Sequence, residues 1–201
     1  SKEEVRPIAS AKPSAAPPPR EKGPAEKIHE APTLTAALEI AKPLMADATD
    51  ETPAGTSLLT VWAMKYMTWP DVGVAKDETT YGLVAKDSEV ERGKRMCVSG
   101  MVVEIHTENT NLGKLYTGNL MASGSMNVYG FFAVGSTGEL VARSQGRFCG
   151  VVVGMHHYPN SGGGTTHAVS LVGMFDLPEN RTRKARTPAE IASTSAKFLD
   201  R

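Results

Sequence analysis

Gly93-Lys94-Arg95-Met96-Cys97-Val98-Ser99-Gly100-Met101-Val102-Val103-Glu104-Ile105 opens the block, residues 93–178, that decides how this chain folds. Five apolar segments follow one another there: residues 95–106, 114–121, 126–134, 147–158 and 168–177. Each is rich in Val, Met, Phe, Tyr or Ile and bounded by Gly, Asn, Ser or Pro, which is the sequence form of strands separated by tight turns. The block holds 15 of the 19 glycines, and a small, strongly curved sheet needs such residues at its bends and bulges. The reading is a mainly β fold built on a small five-stranded barrel.

Outward from that block the composition changes. The first 53 residues carry 9 of the 13 prolines, and residues 1–33 contain no Phe, Trp or Tyr. Such a segment buries too little apolar surface to offset its ordering entropy, so residues 1–32 are expected to form a disordered tether of Pro, Ala, Lys and Glu. Residues 33–56 read as a short helix and loop, 57–180 as the barrel domain with a leading helix, and 181–201 as a basic exit segment with a terminal helix.

The local signals place those helices. Thr33 or Thr35 can cap a helix through Ala36, Leu38, Ile40 and Ala41, which Pro43 interrupts. Thr56 and Ser57 offer caps for a helix over 58–68, with Leu58, Val61, Trp62 and Met64 at helical spacing and Trp69-Pro70 ending it. With Tyr66, Met67 and Trp69 this stripe is expected to cover one barrel end or an edge strand. Residues 79–85 read as a helical turn or an edge strand. Asp87-Ser88 with Glu91 reads as a capped turn stopped by Gly93, and Thr187 as the cap of Pro188–Leu199.

Charge excludes some classes. The chain carries 22 basic and 22 acidic residues. Within the strand block Lys94, Arg95, Lys114, Arg143 and Arg147 face Glu104, Glu108, Glu139 and Asp176. That is no basic face of the kind that drives phosphate contact, so nucleic acid is not the expected partner. No stretch reaches the roughly 20 apolar residues of a membrane helix. The chain begins at Ser1, and a Pro/Ala/Lys/Glu-rich tether is what a processed exported or lipid-anchored protein would leave. The expectation is therefore a periplasmic or membrane-anchored protein, with a cytoplasmic one as the alternative.

The long first segment with its mid-strand Gly100, the connection over 135–146 and the Gly- and Asn-rich tip over 159–167 together resemble the OB-fold. The helix over 58–67 and the lead-in Asp87-Ser88-Glu89-Val90-Glu91-Arg92-Gly93-Lys94 further resemble the tRNA-anticodon-like OB domains of small bacterial exported proteins. An SH3-like barrel and a small sandwich are the alternatives. The resemblance implies a binding module with its ligand across strands two and three, where Tyr116 and Tyr129 lie. Alternation puts Tyr129 and Phe131 on one face and Phe132 on the other. Tyr116, Tyr129, Tyr158 and Asn160 are the candidate binding residues. In an OB-fold, strand one pairs with strand four, so Cys97 and Cys149 could close a disulfide across 52 positions; two buried free thiols are the other reading.

Other chemistry is thinner. His156 and His157 end one strand and His167 begins the next, so the hairpin could gather imidazoles for Zn²⁺ or Cu²⁺. Adjacent strand residues face opposite sides, however, and the spacing matches no ligand signature. Ser161-Gly162-Gly163-Gly164-Thr165-Thr166 lacks the lysine and following helix of a phosphate-binding loop, so no cofactor is expected. No two acids stand in a specified acid/base pair. The favoured function is a non-catalytic binding module for a protein or small ligand. The alternative is a single-stranded nucleic-acid binder that stacks bases on the tyrosines and contacts phosphates through Arg181, Arg183, Lys184 and Arg186.

Overall fold

The structure, a computed structural model, describes residues 20–200. Its five strands among the described residues are β1 (Arg95–Thr110), β2 (Gly113–Ala122), β3 (Val128–Ala133), β4 (Gln145–Pro159) and β5 (Thr165–Phe175). They close into a barrel in the order β1-β2-β3-β5-β4, with β3 and β5 parallel and β1 pairing back onto β4. This is an OB-like barrel. Helices α1 (Pro24–Lys27), α2 (Leu34–Ala41), α3 (Ala54–Tyr66), α4 (Trp69–Val72), α5 (Tyr81–Lys86) and α6 (Ser88–Glu91) precede it, and α7 (Pro178–Arg181) and α8 (Pro188–Leu199) follow.

Two cores explain why β4 and β5 read as near-continuous apolar runs. Inside the barrel Phe131, Phe148 and Phe175 meet in a three-ring cluster with centroids 5.1–5.5 Å apart, joined by Val102, Leu120, Tyr129, Val152, Val169 and Leu171. Outside it Cys149, Val151, Val153, Val172 and Met174 pack against α2 and α3 through Leu59, Trp62, Ala63 and Met67. A strand buried on both faces has no polar side to alternate. The Trp62 stripe therefore covers the outer face of β4 and β5, not a barrel end or an edge strand. One end is closed by α5, whose Val84 is fully buried in the interior core. Residues 135–144 carry no helix, and Leu140 packs at the other end.

Several boundaries differ from the sequence reading for local reasons. α3 begins at Ala54, not at 58, because Gly55 lies against the backbone of Ala41, Leu44 and Met45 and draws the start of the helix into the α2 contact. It stops at Tyr66, and Thr68 then caps α4 with Asp71, so Trp69-Pro70 starts a turn of helix rather than ending one. Thr80 caps α5, which decides residues 79–85 as helix. Thr33, Asp87 and Thr187 cap α2, α6 and α8 as their positions suggest.

The tether expectation needs correction over its described part. Ile28 is fully buried, the Trp62 indole donates to the Ala31 carbonyl (2.9 Å), and the Tyr66 hydroxyl donates to the His29 carbonyl (2.8 Å). One aliphatic side chain and two aromatic hydrogen bonds dock residues 28–31 on α3, which composition alone does not reveal. Residues 1–19 of the expected tether lie outside the described residues. Cys97 and Cys149 face each other in the β1–β4 register and are joined by a disulfide.

Candidate ligand-binding cleft

The register places Asn119, Gly130, Ser170 and Gly154 in one row across β2, β3, β5 and β4 on the outer face of the barrel. Next to it runs a bulkier row, Thr117, Phe132 and Val172. Small side chains beside large ones leave a trough. β4 leaves β1 after Val151, and its vacated edge takes up the segment before α3. The Ala48 N–H donates to the Met155 carbonyl and the His157 N–H to the Ala48 carbonyl, both at 2.8 Å. Gly154, at φ +149°, permits this approach: a Cβ there would stand 2.9 Å from the Ala46 carbonyl oxygen. Residues 46–53 thus form a strap along the trough, enclosing a cleft of about 250 Å³.

The cleft mixes apolar walls with charged side chains of one sign. Asp50 and Glu51 on the strap and Glu108 on β1 line it, with His156 and no lysine or arginine among the described residues. Thr117 donates to Glu108 (3.2 Å), and the Asn119 Nδ2 donates to Glu104 (2.5 Å). A carboxylate only accepts, so this bond orients the amide with its carbonyl oxygen toward Gly130. A Cβ built on Gly130 would lie 3.6 Å from both Asn119 Oδ1 and Ser170 Oγ, so the space above that glycine is open and flanked by two polar oxygens.

The residues singled out from sequence fall elsewhere. Tyr129 is 5% exposed inside the barrel, edge-on to Tyr81 at 5.5 Å. Burial, helped by Tyr81 and Asp77, pushes its hydroxyl up to about 12. Tyr116 packs against the same interior core. Both therefore point away from the outer face, which β2 and β3 present through Thr117, Asn119, Gly130 and Phe132. The phase was legible: Leu120 is core, so Tyr116 and Gly118 share its face and Thr117 and Asn119 oppose it. Tyr158 is half-buried against His156, with ring centroids 5.2 Å apart, and burial raises its hydroxyl. Asn160 serves the hairpin tip, its Oδ1 accepting from the N–H groups of Gly162 (3.0 Å) and Gly164 (2.9 Å).

The histidines separate by face. His157 and His167 are register partners whose Nδ1 atoms lie 2.6 Å apart, one donating to the other. His156 turns the opposite way, and its Nε2 bonds the Thr49 carbonyl (2.8 Å), tying down the strap. Among the described residues no group of three or more His, Cys, Asp and Glu is arranged to hold a metal ion. Asp47, read from sequence only as part of a polar, turn-like stretch over 47–55, anchors the strap instead. It accepts from the Met155 N–H (2.9 Å), Ser88 (2.8 Å) and Arg92 (3.1 Å). Burial alone would raise its carboxyl, but these bonds hold it below the usual range.

Three of the four basic side chains over 181–186, after β5, serve structure, while Lys184 is exposed. Arg181 pairs with Asp176 (2.6 Å). Arg183 is directed at the carbonyls of Ala63, Met64 and Met67 at the end of α3, and Arg186 at those of Leu112 and Glu190. Guanidinium donors closing a helix C-terminus satisfy carbonyls that otherwise lack partners.

No family model matches the chain, and no curated protein matches it. A mitochondrial single-stranded DNA-binding protein from S. cerevisiae is similar in structure over 44% of this chain and 97% of its own, at 14% identity and a TM-score of 0.28. A likeness that slight carries no argument about what this chain binds.

Proposed function

We propose that this protein is a non-catalytic binding module whose ligand, a small molecule or a side chain of a protein partner, occupies the cleft between the strap and the outer face of β2, β3 and β5. The observation that carries this reading is the in-register row Asn119–Gly130–Ser170–Gly154, which leaves a recess with polar groups on its floor on a barrel whose β4–β5 face is covered by helices. Glu108 on the cleft wall and Glu104 beside it accept from Thr117 and Asn119, so they hold the floor's polar groups in place, which supports binding. The acidic lining, with Arg181, Arg183 and Arg186 engaged elsewhere and Lys184 alone left exposed in that cluster, disfavours the nucleic-acid alternative, for which phosphate contacts need several free cations. The disulfide supports an oxidising, extracytoplasmic setting, in line with the resemblance to exported OB domains. No helix among the described residues is long and apolar enough to cross one.

The test is amide chemical-shift mapping of the full chain against a panel of small polar molecules of both charges and none. Perturbations gathered on Thr117, Asn119, Gly130, Ser170 and residues 48–52 are expected. Binding only at the hairpin tip or the barrel ends, or none at millimolar ligand, would overturn the placement.

A further inference from the structure

We infer that the cleft selects an organic cation, an ammonium or guanidinium group on a short aliphatic stem. The inference rests on the cleft being the binding site, and it adds the chemical class of what enters. The first observation is the charge of the walls: Asp50, Glu51 and Glu108 line the cleft, none of them is in an ion pair among the described residues, and no lysine or arginine reaches in.

The second observation is independent of those carboxylates. Ser170 is 9% exposed, it lines the cleft, and its hydroxyl has no hydrogen-bond partner among the described residues. It lies in the apolar run Ala168-Val169-Ser170-Leu171-Val172, a stretch buried on both faces. The oxygen of this otherwise buried residue opens into the cleft, so it is free to take a hydrogen bond from whatever enters. That oxygen and Asn119 Oδ1 stand 3.6 Å from one point above Gly130. The amide oxygen can only accept, and the hydroxyl can accept too, so a donor is the group both can serve at once. A cation with several N–H donors fits that floor and the acidic walls together. The cleft of about 250 Å³ admits one side-chain-sized stem, with the Phe132 ring beside it as apolar wall and cation–π surface.

The same chemistry is offered by a free amine and by a lysine or arginine side chain of a partner. The experiment titrates the full chain with n-butylammonium, butylguanidinium, butyrate and butanol, reading the Gly130 and Ser170 amides. Saturable shifts with the two cations alone are expected. Affinity should fall about tenfold in Ser170→Ala, the loss of one charge-assisted hydrogen bond, and more in Gly130→Val, with the melting temperature of Ser170→Ala held or raised. Acetyl-Gly-Lys-Gly-amide binding more tightly than butylammonium would mark a protein side chain as the source, and equal or weaker binding a free amine; either outcome is within the proposal. Butyrate or butanol moving the same amides as strongly as the cations would overturn the cation inference and leave the cleft as a binding site. No movement of these amides by any compound would overturn both readings.

Discussion

Replacing Cys97 and Cys149 together by alanine tests whether β1 and β4 are held as the fold requires. The disulfide joins residues 52 positions apart that are direct partners in the register closing the barrel. In the chain-entropy description, cross-linking a loop of that length removes about 14 cal/mol/K from the unfolded ensemble, or about 4 kcal/mol at 25 °C. For a domain of this size each kcal/mol moves the melting temperature by about 2–4 °C, so reduction should lower it by about 8–16 °C. The double alanine variant should lose about 1 kcal/mol more, since Cys149 is fully buried in the outer core. Calorimetry or urea unfolding of oxidised, reduced and variant protein separates the two contributions. Two titratable thiols in the native protein, or a reduction effect under about 1 kcal/mol, would refute the reasoning.

Gly118→Ala and Gly130→Ala should differ sharply. A Cβ at Gly118 would meet the Glu104 backbone carbonyl and, at 2.8 Å, the Phe131 ring, whereas one at Gly130 finds only ordinary contacts at 3.6 Å. Chemical unfolding should show the first losing about 1–3 kcal/mol and the second unchanged or up to about 1 kcal/mol more stable. Tyr129→Ala should cost about 3–5 kcal/mol as a core truncation, and Tyr129→Phe little, with cleft ligands binding both folded variants as they bind wild type. Asp176, bonded first by Arg181 and also by Arg147, has its carboxyl held below the ordinary value of 3.8. A depressed carboxylate contributes stability above the unfolded pKa that is lost as pH falls through the folded one. Acid unfolding should therefore steepen below about pH 4, and Asp176→Asn should flatten that limb while lowering stability at neutral pH. Arg183→Ala should destabilise α3 by about 1–3 kcal/mol and leave oligonucleotide retention at low salt, expected to be negligible, unchanged.

What the sequence discloses follows the range of the interaction involved. Thr33, Asp87 and Thr187 announce their helices because a cap is settled within three residues. The five strands are legible because Gly and Asn punctuate them, and Gly100 signals close approach: a Cβ there would strike the Met121 carbonyl. The docking of Ile28 under Trp62 is not legible, since one aliphatic residue in a proline-rich segment carries no periodicity. The cleft is a product of register across four strands and of a strap bonded to an edge 107 positions away at His156, and no local pattern encodes that meeting. Two clues were available: the polar phase of Thr117 and Asn119 opposite Leu120, and Ser170 as the lone hydroxyl in an apolar run. Aromatic content drew attention to Tyr116 and Tyr129 instead, one residue out of phase with the outer face.

The most direct measurement is a crystal structure of the full chain grown with n-butylammonium. The account predicts the ammonium above Gly130, within hydrogen-bond distance of Ser170 Oγ and Asn119 Oδ1, with the strap closed over it. An amine bound elsewhere, or a cleft filled by the chain's own side chains, would contradict it.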